Sequence, residues 1–194
     1  MMKITVLEGP DCSGKSTLAQ RLSETMNDVI VMRQGPPPRT GAYRPLIENL
    51  AALAEMTMPV HAVLDRFHLG ERVYGPLLRG HDSLGRALHR QLERVMLAYD
   101  TRMVFCDPPR DISQRLWAER AGKGQELVTE ATIYDALHGG YMSALRESSL
   151  HVVMYDFTRS DALKHVRHLI SDQRPGTPRN LGPGIGNWHP GRSV

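Results

Sequence analysis

Little in this 194-residue chain could staple it together or carry it through a membrane. It has two cysteines, Cys12 and Cys106, too few for a disulfide framework, which fits a reducing compartment. No apolar run approaches the roughly 18 residues that span a bilayer as a helix. The opening run, MMKITVLEG, is far shorter than a secretory leader, so a cytoplasmic protein is expected. The nine histidines lack H-x-x-x-H or Cys/His spacing, so no zinc site is expected. No helix-turn-helix or RNA-binding signature appears, and no internal repeat stands out. What remains is an ordinary globular composition, 41% hydrophobic and 23% charged, long enough for one domain with a sizeable core. The net charge of +3 permits an anionic ligand or a nucleic-acid partner and requires neither.

Short apolar runs alternate with helical periodicity. Strands are expected at Lys3–Glu8, Asp28–Met32, Val60–Asp65, Met103–Cys106 and Val152–Tyr155. Helical spacing marks Lys15–Met26, Tyr43–Met56, Ser83–Ala98, Arg110–Ala121, Thr129–Arg146 and Asp161–Ile170, with a further helix after Asp65. The pattern predicts an α/β fold with a parallel sheet covered on both faces. RQGPPPRTG, Arg33 to Gly41, is expected to be an irregular loop, since consecutive prolines suit neither ladder nor helix. Residues 1–172 form the expected domain. The segment 173–194, rich in Pro and Gly, basic and without acids, cannot build a core of its own. It reads as a surface tail, as an arm for nucleic acid or a partner, or as a lead-in to a further domain.

The stretch EGPDCSGKST, Glu8 to Thr17, fits G-x-x-x-x-G-K-[ST] between an expected strand and an expected helix. Gly9 and Gly14 let the backbone wrap, so that amides of Asp11, Cys12, Ser13, Gly14, Lys15, Ser16 and Thr17 can cradle phosphates at a helix N-terminus. Lys15 can reach the β- and γ-phosphates, and the Ser16 hydroxyl can ligate Mg²⁺. Asp11 would oppose phosphate if it faced the donor. It either supports the turn or points toward an acceptor and orients or deprotonates an attacking oxygen. Cys12 supplies a backbone amide, and its cationic surroundings are expected to favour thiolate.

A second informative stretch is LDRFHLGERVYGPLLRG, Leu64 to Gly80. Asp65 ends a strand and should project at the sheet's carboxyl edge beside the phosphate loop, where it can help hold the metal. Arg66 can pair with an acceptor's phosphate. Arg72 and Tyr74 face either the acceptor or the ordinary surroundings of a helix, and His68 and Gln91 are open to the same two readings.

These segments, with the CDPP ending of a later strand and RLWAER (Arg115 to Arg120), resemble the P-loop thymidylate kinase-like and deoxynucleoside kinase superfamily over Lys3 to about Ile170. The resemblance implies a three-layer fold with a five-stranded parallel sheet, Mg-ATP as donor and a pyrimidine deoxynucleoside or its monophosphate as acceptor. It further implies that Asp11 approaches the acceptor sugar and that Asp65-Arg66 handles metal and acceptor. Arg115 and Arg120 would flank a lid at about 115–128, with Lys123 as an extra cation, and YDFT (Tyr155 to Thr158) would lie near the donor base. A homodimer is suggested by the same likeness.

The chain also departs from that pattern. After the second strand it carries MRQGPPPRTG in place of an Arg-Glu-Pro-Gly-type segment; Arg33 remains for the acceptor, but no glutamate follows. No lid acid of the usual kind follows the arginines. The segment pattern is closer to virus-carried kinases. Two alternatives therefore stand beside the free-nucleotide kinase: a kinase of hydroxymethylpyrimidines within DNA, and an ATP-binding switch with no acceptor.

Overall fold

The computed structural model describes residues 2–35, 44–55, 60–126 and 128–171. The expected proline-rich loop, beyond Gly35, and the basic segment 173–194 lie outside the described residues. Five strands form one parallel sheet: β1 (Lys3–Glu8), β2 (Val29–Arg33), β3 (His61–Asp65), β4 (Arg102–Cys106) and β5 (His151–Tyr155), in the order β2-β3-β1-β4-β5. Between and after them run α1 (Lys15–Thr25), α2 (Arg44–Ala54), α3 (His68–Arg79), α4 (Gly85–Leu97), α5 (Arg110–Ala121), α6 (Ala131–Glu147) and α7 (Ala162–Ser171). The α/β expectation holds.

Strand alternation splits the core into two layers. Ile4, Val6, Ala62, Leu64, Met103, Phe105 and Val152 pack on one face with apolar side chains of α2, α3, α4 and α6. Leu7, Val63, Val104, Val153 and Tyr155 pack on the other with Leu18 and Leu22 of α1 and Val166 and Ile170 of α7. Strands buried on both faces read as continuous apolar runs, which is why they were legible. Pairing is in register from Lys3↔His61 to Leu7↔Asp65 and from Val29↔His61 to Arg33↔Asp65. That register brings Glu8, Arg33 and Asp65 to one carboxyl edge. None of the described helices is long and apolar enough to cross a membrane.

Candidate active site

The loop between β1 and α1 is shaped by close backbone approach. Gly9 has φ 143°, and a Cβ there would stand 2.5 Å from the Cys106 carbonyl oxygen. Gly14 has φ 88°, and its Cβ would meet the Phe157 ring at 2.8 Å. Lys15, the first residue of α1, is buried and folds back over the loop. Its ammonium donates to the carbonyls of Gly9 (2.8 Å) and Pro10 (2.5 Å) and to Ser13 Oγ (3.3 Å). Burial lowers its pKa, Arg66 nearby adds to this, and Asp11 opposes it. An arriving phosphate would give that ammonium a better partner than neutral carbonyls.

Asp11 reaches toward the end of β3. Its buried carboxylate accepts from Arg66 Nη2 at 2.6 Å, its amide donates to the Tyr74 hydroxyl at 3.1 Å, and its carbonyl accepts from Tyr134 at 3.3 Å. Arg66 holds a left-handed backbone, φ 69°, immediately after β3. Desolvation works against its charge, but Asp11, with Tyr74 and Tyr141 behind it, raises its pKa.

Two adjoining cavities meet at these residues. One, of about 370 Å³, is lined by Gly14, Lys15, Thr17, Arg21, Tyr155 and Phe157 among others, and runs along the phosphate loop. The other, of about 420 Å³, lies over β2 and β3 and is lined by Arg33, Asp65, Tyr74, Arg79 and Tyr141 among others. Asp11, Ser16, Arg66, Arg120 and Glu126 line both. The first has the loop a nucleotide's phosphates need; the second has the acids and cations an acceptor needs. Their shared wall is where a group could pass from one to the other.

The second cavity is walled by arginine–carboxylate pairs: Arg33 with Asp65 (3.9 Å), Arg66 with Asp11, Arg79 with Glu71 (2.5 and 2.6 Å) and Arg120 with Glu126. Glu71 is buried, and Arg79 grips both of its oxygens. Arg33 is the loosest, with 67% of its side chain exposed. Beneath, Glu8 at the end of β1 accepts the amides of Phe67 and Leu69 at the start of α3, each at 3.0 Å, which suits an acid at a helix N-terminus.

No family model matches the chain. A curated relative, the SPbeta prophage-derived uncharacterized protein YorR of Bacillus subtilis strain 168, is 25% identical over 155 residues, 80% of this chain and 89% of that protein. The crystal structure of B. subtilis YorR in complex with phosphorylated GDP superposes with a TM-score of 0.67 at 22% identity, covering 87% of this chain and 95% of that one. Deoxyadenosine kinase from M. mycoides with bound dATP gives 0.60 at 11% identity, covering 88% and 100%. The fold is that of the P-loop kinases.

Of the residues singled out from sequence, the phosphate loop, Asp65, Arg66, Arg33, Tyr74 and Arg120 come together around the two cavities. Four do not. His68 is fully buried with its Nε2 3.0 Å from Glu93 Oε1, locked in the core rather than facing an acceptor. Arg72 points off the opposite side of α3 to Glu147. Gln91 and Arg115 are exposed and line neither cavity. The thiolate expectation for Cys12 fails as well. Burial, then the Glu126 carboxylate 3.5 Å away, pushes the thiol up to about 12. That carboxylate is an acid after the arginines, unlike the expectation from the sequence: Glu126 pairs with Arg120 across the turn at Gly122–Gly124.

Sequence reasoning assigned no role to Arg79, Glu71 or Glu126. For Arg79 a signal existed, since it stands eight residues after Glu71 on a helix and so near the same face. For Glu126 there was none, because an irregular segment has no period from which to infer a face.

For Mg²⁺ the residues fit. Asp65 is buried, and its Oδ1 makes no hydrogen bond although it borders the same cavity as Ser16. No cluster of three or more His, Cys, Asp or Glu suited to a metal occurs among the described residues. An ion held by one hydroxyl and one carboxylate, with phosphate oxygens completing its shell, matches how magnesium binds beside nucleotides.

Proposed function

We propose that this chain is an ATP- and Mg²⁺-dependent kinase that transfers the γ-phosphoryl to a deoxynucleoside or deoxynucleoside monophosphate, with a pyrimidine as the acceptor base the sequence resemblance favours. The observation that carries this is the shared wall of Asp11, Ser16, Arg66, Arg120 and Glu126 between a phosphate-loop cavity and a second cavity of comparable size. A nucleotide switch without an acceptor has no use for the second cavity.

In this scheme the loop amides and Lys15 hold the donor's phosphates. Ser16 and Asp65 would hold magnesium, which supplies charge neutralisation at the phosphate oxygens. Asp11, oriented by Arg66 and by the Tyr74 hydroxyl on its own amide, faces the acceptor cavity and takes the hydrogen bond of the attacking hydroxyl. Arg66 and Arg120 stand on both cavities and balance charge spread over the transferring group, where catalysis in this chemistry mostly lies. Arg33, loosely held, is the cation free to turn toward an acceptor phosphate. YorR is described with phosphorylated GDP, and the M. mycoides enzyme with dATP and also with dCMP and dCDP, so the acceptor panel must contain both base classes.

The test is γ-labelled ATP with magnesium against free deoxynucleosides, their monophosphates and duplex DNA carrying hydroxymethylpyrimidines. Label in a free deoxynucleotide product is expected. Label found only in DNA overturns the acceptor assignment, and hydrolysis without any phosphorylated product overturns the kinase.

A further inference from the structure

On the far side of α3 lies a smaller cleft of about 180 Å³, lined by Arg72, Arg86, His89, Arg90, Glu93 and Glu147. Arg86 and Arg90 are one helical turn apart on α4 and so share a face. Arg72 reaches in from α3 and pairs with one oxygen of Glu147, while Arg86 Nη2 stands 3.7 Å from the other. Glu93 is already committed: His68, the Ser148 hydroxyl (2.5 Å) and the Ser149 amide (2.7 Å) occupy its oxygens. Two guanidiniums, each a fork of several N–H donors, therefore reach one carboxylate that is 40% exposed at the end of its helix, and a third, Arg90, lines the same cleft. Donors exceed acceptors.

His89 is the second observation. Its side chain is only 5% exposed, and it borders the cleft. Neither ring nitrogen makes a hydrogen bond, although Asp82 Oδ2 lies 3.3 Å from Nε2. A buried imidazole whose Nδ1 has no partner and whose Nε2 meets only Asp82, beside surplus arginine donors, is a site suited to a further ligand.

We propose that this cleft binds a single phosphate group, free or terminal on a small phosphorylated metabolite, held by Arg72, Arg86, Arg90 and His89, with Glu147 as an internal stand-in that the ligand displaces. Guanidinium forks match phosphate geometry in a way point charges do not. The volume, about half that of the phosphate-loop cavity, suits one phosphate and not a whole nucleotide. The site is one residue along α3 from Glu71, which lines the acceptor cavity.

The experiment is calorimetric titration of the full chain, with the phosphate-loop cavity filled by Mg²⁺ and a non-hydrolysable ATP analogue. Inorganic phosphate is used in one arm and glycerol 3-phosphate in the other. Saturable binding in either arm is expected; heat in both identifies a terminal phosphate as sufficient, and heat only with inorganic phosphate identifies the free ion. The double variant Arg86→Ala/Arg90→Ala should weaken binding at least about tenfold, as loss of charge-assisted hydrogen bonds implies. Glu147→Gln, which removes the competing carboxylate, should tighten it severalfold, a gain that misfolding cannot mimic. No saturable heat in either arm, unchanged affinity in the double variant, or weaker binding in Glu147→Gln would each overturn the site. The variant pattern also decides with phosphate alone, so failure here and failure of the kinase assignment are separable.

Discussion

Lys15 and Asp11 are four residues apart in one loop, yet Lys15 borders the phosphate-loop cavity while Asp11 borders that cavity and its neighbour. Lys15 now satisfies loop carbonyls, so its replacement removes a phosphate ligand and also uncovers those acceptors. Lys15→Ala should lower kcat by at least about a hundredfold, the scale for removing one preorganised charge from a transition state. A labelled-ATP transfer assay, with circular dichroism as the folding control, measures it. Cys12 tests the local field directly. With its thiol pushed up to about 12, alkylation by iodoacetamide at pH 8 should run at least a hundredfold slower than for a free thiol. Glu126→Gln removes the nearest anion and should speed it. Fast labelling of the unmodified protein would contradict the geometry.

At the scale of elements, a strand passing into a helix makes the phosphate loop, and its tightest point is Gly9. A methyl group there meets the Cys106 carbonyl, a backbone atom that cannot swing aside, at a φ that L-residues rarely adopt. Gly9→Ala should cost on the order of 2 kcal/mol or more in urea unfolding and abolish nucleotide binding. Helix α3 makes a different point. Glu71 and Arg72 are neighbours in sequence, yet one lines the cavity over β2 and β3 and the other the cleft beside α4. Sequence reading marked Arg72 as a functional candidate and gave Glu71 no role; the rotation of the helix about its axis divides them. The segment between α5 and α6, the lid of the proposed kinase, is tied at its base, where the Trp117 indole donates to the Val128 carbonyl at 2.8 Å and stacks on Tyr134. Trp117→Phe should therefore loosen closure, raising uncoupled ATP hydrolysis relative to transfer.

For the whole molecule, buried ionisable groups set the response to acid. Burial, with Lys3 nearby, holds His61 down to about 4, and burial with its cationic neighbours does the same for His89. Each has a folded pKa below its unfolded 6.5, so each contributes stability above pH 6.5 that is lost as pH falls toward 4. Glu93 sits at about 2: burial works against its charge, but hydrogen bonds from His68 and Ser148 outweigh it. Its contribution is complete above 4.5 and disappears as pH falls from there toward 2. The melting temperature should accordingly be flat near pH 7–8 and decline in two successive legs, the histidines first. His61→Gln, which can keep a partner for Thr5 Oγ1, should flatten the upper leg by on the order of 2 kcal/mol. A melting temperature that stayed constant down to pH 4 would exclude this account.

Composition and periodicity alone determined the five strands, the helices between them and the phosphate loop, because each is specified by residues close in sequence: apolar runs, a 3.6-residue repeat, two glycines beside a lysine. Asp65 and Arg66 were legible for the same reason, as the polar end of an apolar strand. Tertiary structure decided the rest. It buried His68 against Glu93, turned Arg72 away from the acceptor, brought Arg79 back onto Glu71 and folded Glu126 across to Arg120 and Cys12. Those pairings join groups whose approach depends on how helices are rotated and how an irregular segment closes, and neither is written in any local period.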